Sequence, residues 1–220
     1  LDQKTWEYHN SPKLLATSVV FILAMGLWTN YFNELADLPN NMQEAFEMIM
    51  RNPLGIIAVV IMAPIVEELL FRGAIQGHLL RKWKHPAGAI VLSSLIFGVV
   101  HGNWVQAPFA FVTGLALGWM YYRTGSLLPG ILMHFVNNSA AVASFLLADN
   151  PNATMVSTYG QTGAALMAAG GMALTIICVL FIQKKLVPQP AVWHQPAQAE
   201  TIEIENNTPS SQTHSHDENI

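Results

Sequence analysis

Six apolar runs govern what this 220-residue chain can fold into, at about 14–32, 54–80, 88–104, 107–122, 127–147 and 163–183. A helix crosses a bilayer in roughly 20 apolar residues. In hydrocarbon the backbone must satisfy its own hydrogen bonds, so only helices and closed barrels span. Runs of this length select helices. The expected fold class is all-α: a polytopic membrane helix bundle with about six transmembrane helices. The third and fourth runs are short, and "HGNWVQAP" between them leaves room only for a tight turn. The pairs Gly73/Gly77, Gly98/Gly102 and Gly114/Gly118 have the small-x-x-x-small spacing that lets helix backbones approach closely in lipid.

Charge follows the same plan. Charged residues make up 11% of the chain, against about a quarter in a soluble domain. If the spans alternate, one side receives Lys4, Lys13, Arg81, Lys82, Lys84, Arg123, Lys184 and Lys185, and the other receives only Arg51. By the positive-inside rule both termini are cytoplasmic, and residues 33–53 form the largest external piece, with an amphipathic turn or helix around "MQEAFEMIM". The chain then divides into 1–53, an N-terminal transmembrane helix and external loop; 54–147, a core; 148–185, the last transmembrane helix; and 186–220, a disordered polar cytoplasmic tail. The tail histidines His194, His214 and His216 read as solvated side chains. A net charge of −4 does not suggest nucleic acid as a partner. The expected surroundings are the lipid bilayer of a bacterial cell (inner) membrane. The single cysteine, Cys178, leaves no intrachain disulfide to form.

Within the spans between residues 54 and 122, the charged side chains are Glu67, Glu68 and Arg72, all in "EELLFR". A charge inside a membrane costs free energy that partners or water must offset, so it marks a functional site by default. Glu68 and Arg72 are four apart, on one helix face, with the acid first in the favourable order. They neutralise each other. Glu67 is turned by about 100° around the helix and has no such partner. Pro64 upstream removes a backbone hydrogen bond and is expected to kink the helix. Two further spans carry polar groups at helical spacing: Phe97 with His101, and His134 with Asn138. Helix rise places Glu67, His101 and His134 on the order of 10–20 Å into the membrane, a depth at which they can converge on one wet cavity.

The ordered set Glu67-Glu68-x-x-x-Arg72, Phe97-x-x-x-His101 and His134-x-x-x-Asn138 resembles the CPBP (Abi) family of intramembrane proteases, which includes the type II CAAX prenyl endopeptidases of eukaryotes. The resemblance covers about residues 54–147, the family's catalytic core of four helices. It implies a glutamic endopeptidase acting on a membrane-associated peptide or protein substrate, without a cofactor. Glu67 would be the general base that takes a proton from water, and His101 would hold and polarise that water. His134 and Asn138 would donate hydrogen bonds to the oxyanion, a contribution of about 3–4 kcal/mol per donor. Glu68 and Arg72 would support Glu67.

Other readings stay open. Glu67, His101 and His134 are acceptable zinc ligands, and catalytic zinc takes three protein ligands plus water, although the His-Glu-x-x-His signature of a zinc protease helix is missing. The same buried groups suit proton-coupled transport. A bacteriocin-immunity or scaffold protein of the membrane would need no proteolysis.

Overall fold

The structure of the chain, a computed structural model, describes residues 11–83, 85–147, 150 and 153–186. The expectations for Lys4, Lys84 and the tail beyond Leu186, with its three histidines, lie outside these residues. The described chain is built from helices α1 (Pro12–Ala36), α2 (Gln43–Met50), α3 (Pro53–Lys82), α4 (Pro86–Val100), α5 (Gln106–Thr124), α6 (Leu128–Leu147) and α7 (Met155–Lys185). It is an all-α polytopic membrane bundle. Four helices, α1, α3, α6 and α7, are long and apolar enough to cross a bilayer by themselves. The expected third and fourth spans are α4, which has 15 residues, and α5, whose hydropathy falls short. The tight turn expected between them occupies residues 101–105.

Local chemistry sets the helix ends. The Ser11 side chain accepts the Leu14 amide at 3.3 Å, and Pro12 stands in the first turn, where its missing amide costs nothing. α1 stops at Asp37, which takes a left-handed conformation with φ 45°. At α7, Thr154 and Ser157 form a reciprocal capping box. The Glu34 carboxylate accepts the amides of Met155 and Val156 at 2.6 and 3.2 Å, placing a negative charge on a positive helix end. α7 is broken early by Gly160 (φ 70°, ψ 163°), so the expected run 163–183 is its straight part. The segment around "MQEAFEMIM" is the short helix α2, as expected.

The bundle turns large apolar side chains outward and buries polar ones within an otherwise apolar core. Val66, Leu69, Ile177 and Leu180 are more than half exposed, whereas Ser18, Glu68, Arg72, Gln76, Ser93, Ser94, Thr113 and His134 are buried. Lipid is as apolar as leucine, so packing and interhelical hydrogen bonds hold such helices together. α1 and α7 pair along their length: Trp28 Nε1 donates to Thr175 Oγ1 at 3.2 Å, and Gln161 Nε2 donates to the Tyr31 hydroxyl at 2.8 Å. α4 and α5 approach closely, since a Cβ on Gly98 would stand 2.8 Å from the Ala107 carbonyl oxygen. The expected partner in that pair, Gly102, takes no part in packing. It holds a left-handed φ of 62° in the turn after α4, a conformation that glycine adopts without strain.

Hydrogen bonds gather the helix ends into two groups. At one end Asn103 Nδ2 donates to Asn40 Oδ1 at 2.9 Å and Asn41 Nδ2 to the Gly102 carbonyl at 3.1 Å, beside the Glu34 cap. At the other, Arg123 Nη1 donates to the Leu186 carbonyl at 2.9 Å, and Lys13, Arg81, Lys82, Lys184 and Lys185 stand at helix ends on that side. These described basic residues thus stand at the end of the bundle opposite the Asn40–Asn103 contact. Reporter fusions at Asp37 and Lys82 are expected to report opposite sides of the membrane, with Lys82 cytoplasmic; the same compartment for both refutes the alternation.

Candidate active site

α3 carries Glu68 and Arg72 in helix that is wider than α, with Glu67 ending the α-helical stretch before it. Residues 58–62 and 68–76 form π-type turns, a departure that is frequent at functional sites. The chain stays helical through Pro64, with Met62 at φ −72°, ψ −44° and Ala63 at φ −58°, ψ −51°. The kink expected at Pro64 therefore takes the form of a widened turn.

Along the inner face of α3 stand Glu68, Arg72 and Gln76, all buried. Arg72 Nη1 donates to Glu68 Oε1 at 2.9 Å, with both side chains about 1% exposed. Arg72 Nη2 donates to the Gly114 carbonyl at 3.2 Å, and the guanidinium lies 4.4 Å from the centroid of the Phe97 ring. One turn on, Gln76 Nε2 donates to the Gly118 carbonyl at 2.8 Å. A Cβ on Gly118 would stand 2.6 Å from Gln76 Oε1, so a side chain there would push the Gln76 amide from its place. The expected Glu68–Arg72 pair is present. It extends into a row that Gln76, four residues beyond Arg72, continues at the same spacing.

Glu68 has a second partner. Its Oε1 also accepts a hydrogen bond from His134 Nδ1 of α6 at 3.0 Å. A carboxylate accepts, so Nδ1 carries the proton and the other ring nitrogen, Nε2, is turned toward Glu67. His134 Nε2 stands 3.7 Å from Glu67 Oε2, beyond direct hydrogen-bond range. The Glu67 side chain is 30% exposed, and its Oε2 has no hydrogen-bond partner among the described residues. Gly130 lets α6 come this close: a Cβ there would lie 3.1 Å from Glu68 Oε2. The two adjacent glutamates differ sharply. Glu68 Oε1 is shared by Arg72 and His134 Nδ1, whereas Glu67 accepts no hydrogen bond through Oε2 and meets only His134 Nε2 at ion-pair distance. Glu68 Oε2, like Glu67 Oε2, has no hydrogen-bond partner among the described residues.

His101 ends α4 and keeps its contacts on that helix. Its Nδ1 lies 2.6 Å from the Phe97 carbonyl, and a carbonyl only accepts, so Nδ1 is the donor and Nε2 is left for another partner. The Phe97 ring meets His101 edge-on at 4.8 Å and His134 at 5.7 Å between centroids. His101 therefore joins the cluster across an aromatic ring, without a hydrogen bond to Glu67 or His134 among the described residues. Asn138, one turn beyond His134, donates through Nδ2 to the Val59 carbonyl of α3 at 2.9 Å and accepts from Asn137 Nδ2 at 3.2 Å.

The structure thus gathers Glu67, Glu68, Arg72, His134 and Asn138 and places His101 beside them. Among the described residues no three His, Cys, Asp or Glu side chains are grouped to hold a metal ion. Cys178 is buried among α1, α5 and α6 residues, apart from the cluster.

The family model described as "Type II CAAX prenyl endopeptidase Rce1-like" matches residues 50–140, an interval that contains every one of these residues. The chain is 32% identical over 102 residues to the "Putative membrane peptidase YdiL" of Bacillus subtilis, covering 46% of this chain and 41% of that protein. It is 30% identical over 123 residues to the "Membrane-embedded CAAX protease MroQ" of Staphylococcus aureus, covering 54% of this chain and 49% of the other. The alignments span at most about half the length of these relatives. No solved structure matches. The resemblance read from the three motifs is therefore found again over the central helices.

Arg72→Ala removes the counter-charge from a fully buried carboxylate, a change that costs about 3–5 kcal/mol. Its expected effect is a clear fall in the unfolding temperature of the detergent-purified protein. An unchanged transition would show that Glu68 does not depend on Arg72.

Proposed function

We propose that this chain is an intramembrane endopeptidase of the CAAX-protease type, hydrolysing a peptide bond in a membrane-associated substrate with water activated by Glu67. The observation that carries this reading is the division of labour between the glutamates. Glu68 is held by Arg72 and His134 Nδ1, while Glu67 faces His134 Nε2 across 3.7 Å with an uncommitted carboxylate oxygen. The similarity of residues 50–140 to the prenyl endopeptidase family supports it.

In the proposed reaction a water accepts its position from the lone pair of His101 Nε2 and gives a proton to Glu67. The resulting hydroxide attacks the scissile carbonyl carbon, and the carbonyl π electrons move to oxygen. Asn138 has one amide hydrogen on Val59 and a second to offer that oxyanion. His134 would donate from Nε2 when both ring nitrogens carry protons, with Nδ1 kept on Glu68. Such preorganised donors are worth about 3–4 kcal/mol each. Collapse breaks the C–N bond, and Glu67 returns its proton to the leaving amine. We place the protein in a bacterial cell membrane with both termini cytoplasmic.

Glu67→Gln tests the assignment. The amide keeps the shape but cannot take the proton, so cleavage is expected to vanish while the amount of folded membrane protein stays at the wild-type level. Turnover retained near wild type would remove Glu67 from the role of base. A tight chelator added to the purified protein is expected to leave cleavage intact. Loss that zinc restores would replace the metal-free scheme, and a protein with no Glu67-dependent cleavage of any peptide would favour a non-catalytic role.

A further inference from the structure

The widened turn ahead of Pro64 and the side chain of Asn138 answer each other. The Ala63 amide reaches back five residues to the Ala58 carbonyl. In that register the next amide, at residue 64, would bond the Val59 carbonyl, but proline has no N–H. Asn138 Nδ2 fills the place, donating to Val59 at 2.9 Å from α6. The accepted bond from Asn137 fixes which end of the Asn138 amide points there. In an ordinary α register the Ala63 amide would occupy Val59 itself, and the Pro64 ring would press on the Val60 carbonyl one turn back. The bond from Asn138 is therefore matched to the wide register. Below Pro64 the helix recovers, with the Glu68 amide bonding the Pro64 carbonyl. The residue stored in the wide turn turns everything after it by about 100° around the axis, and Glu67 follows three positions later.

We infer that Pro64, the Val59 carbonyl and Asn138 form a register lock that aims Glu67 at His134, with Pro64 a positioning residue. The inference deepens the proposed function, because the carboxylate being aimed is the proposed base. It assigns a purpose to a side chain with no reactive group, and gives Asn138 a task in addition to the oxyanion.

A double-mutant cycle reads the lock through stability, in a Glu67→Gln background where catalysis plays no part. Asn138→Ala is expected to lower the unfolding temperature by several degrees when residue 64 is proline. It should have little effect beside Pro64→Ala, because a backbone amide then reaches Val59 in either register. Equal losses in both backgrounds overturn the lock. With Glu67 restored, Pro64→Ala is expected to lower kcat per folded molecule by roughly a hundredfold, the order expected from misplacing a reacting group by about an ångström, with KM little changed. Wild-type kcat in that variant overturns the positioning role. If Pro64→Ala does not fold, cross-linking decides: Glu67→Cys with His134→Cys, in a Cys178→Ser chain, is expected to be bridged by a short bis-methanethiosulfonate, each thiol displacing a sulfinate, and to lose bridging on Asn138→Ala. Bridging that persists overturns the lock. Peptide cleavage by Glu67→Gln would instead defeat the proposed base and leave the stability cycle to be judged by itself.

Discussion

A carboxylate and a guanidinium, both sealed from solvent inside a lipid-facing bundle, set the terms for everything around them. Glu68 and Arg72 each lose hydration that hydrocarbon cannot replace, and their mutual attraction offsets that loss only with further hydrogen bonds. The structure supplies them from three directions: the Gly114 carbonyl and the Phe97 ring for Arg72, and His134 Nδ1 for Glu68. Each of these groups belongs to a different helix from α3. Satisfying the pair therefore brings α4, α5 and α6 to their places, with Gly114 close against α4 and Gly118 and Gly130 close against the Gln76 and Glu68 side chains of α3.

The same pair creates the difference between two neighbouring glutamates. Sequence adjacency gives Glu67 and Glu68 the same chemistry, and helical rotation gives them different surroundings. One is consumed as the anchor of an arginine and an imidazole. The other stands partly exposed, facing the second nitrogen of the ring that the anchor holds in place. A single carboxylate could not both fix His134 and remain available, which is a physical reason for the doubled acid.

Much of this was legible in the chain. Three charges within an apolar run have few places to go, so the Glu68–Arg72 pair and the separation of Glu67 from it followed from helix geometry. The long helices followed from the apolar runs. Gln76 was missed, although its spacing from Arg72 repeats that of Arg72 from Glu68. What sequence could not carry is tertiary. That His134 spends Nδ1 on Glu68, that Asn138 reaches Val59, and that His101 stands across the Phe97 ring all depend on which helix lies beside which. Pro64 shows the limit well: its lost amide is readable from one letter, but whether the helix bends or widens is decided by a donor 74 positions later (138 − 64). Gly102 makes the converse point, since a packing motif and a turn glycine share one spelling.

The pairing of α1 with α7 has a consequence for biogenesis. Trp28 finds its hydrogen-bond partner 147 positions later, and Glu34 finds its amides at the start of α7. During synthesis the first of these helices enters the membrane long before the second exists. Until then Trp28, Tyr31 and Glu34 wait without the groups they are built to meet, and Cys178 and Ile182 are missing from a cluster that already holds Leu14, Leu117 and Met133. A nascent chain stalled before α7 would therefore show lipid and chaperones an open seam along α1, a recognisable mark of an unfinished molecule for the machinery that inserts or degrades it.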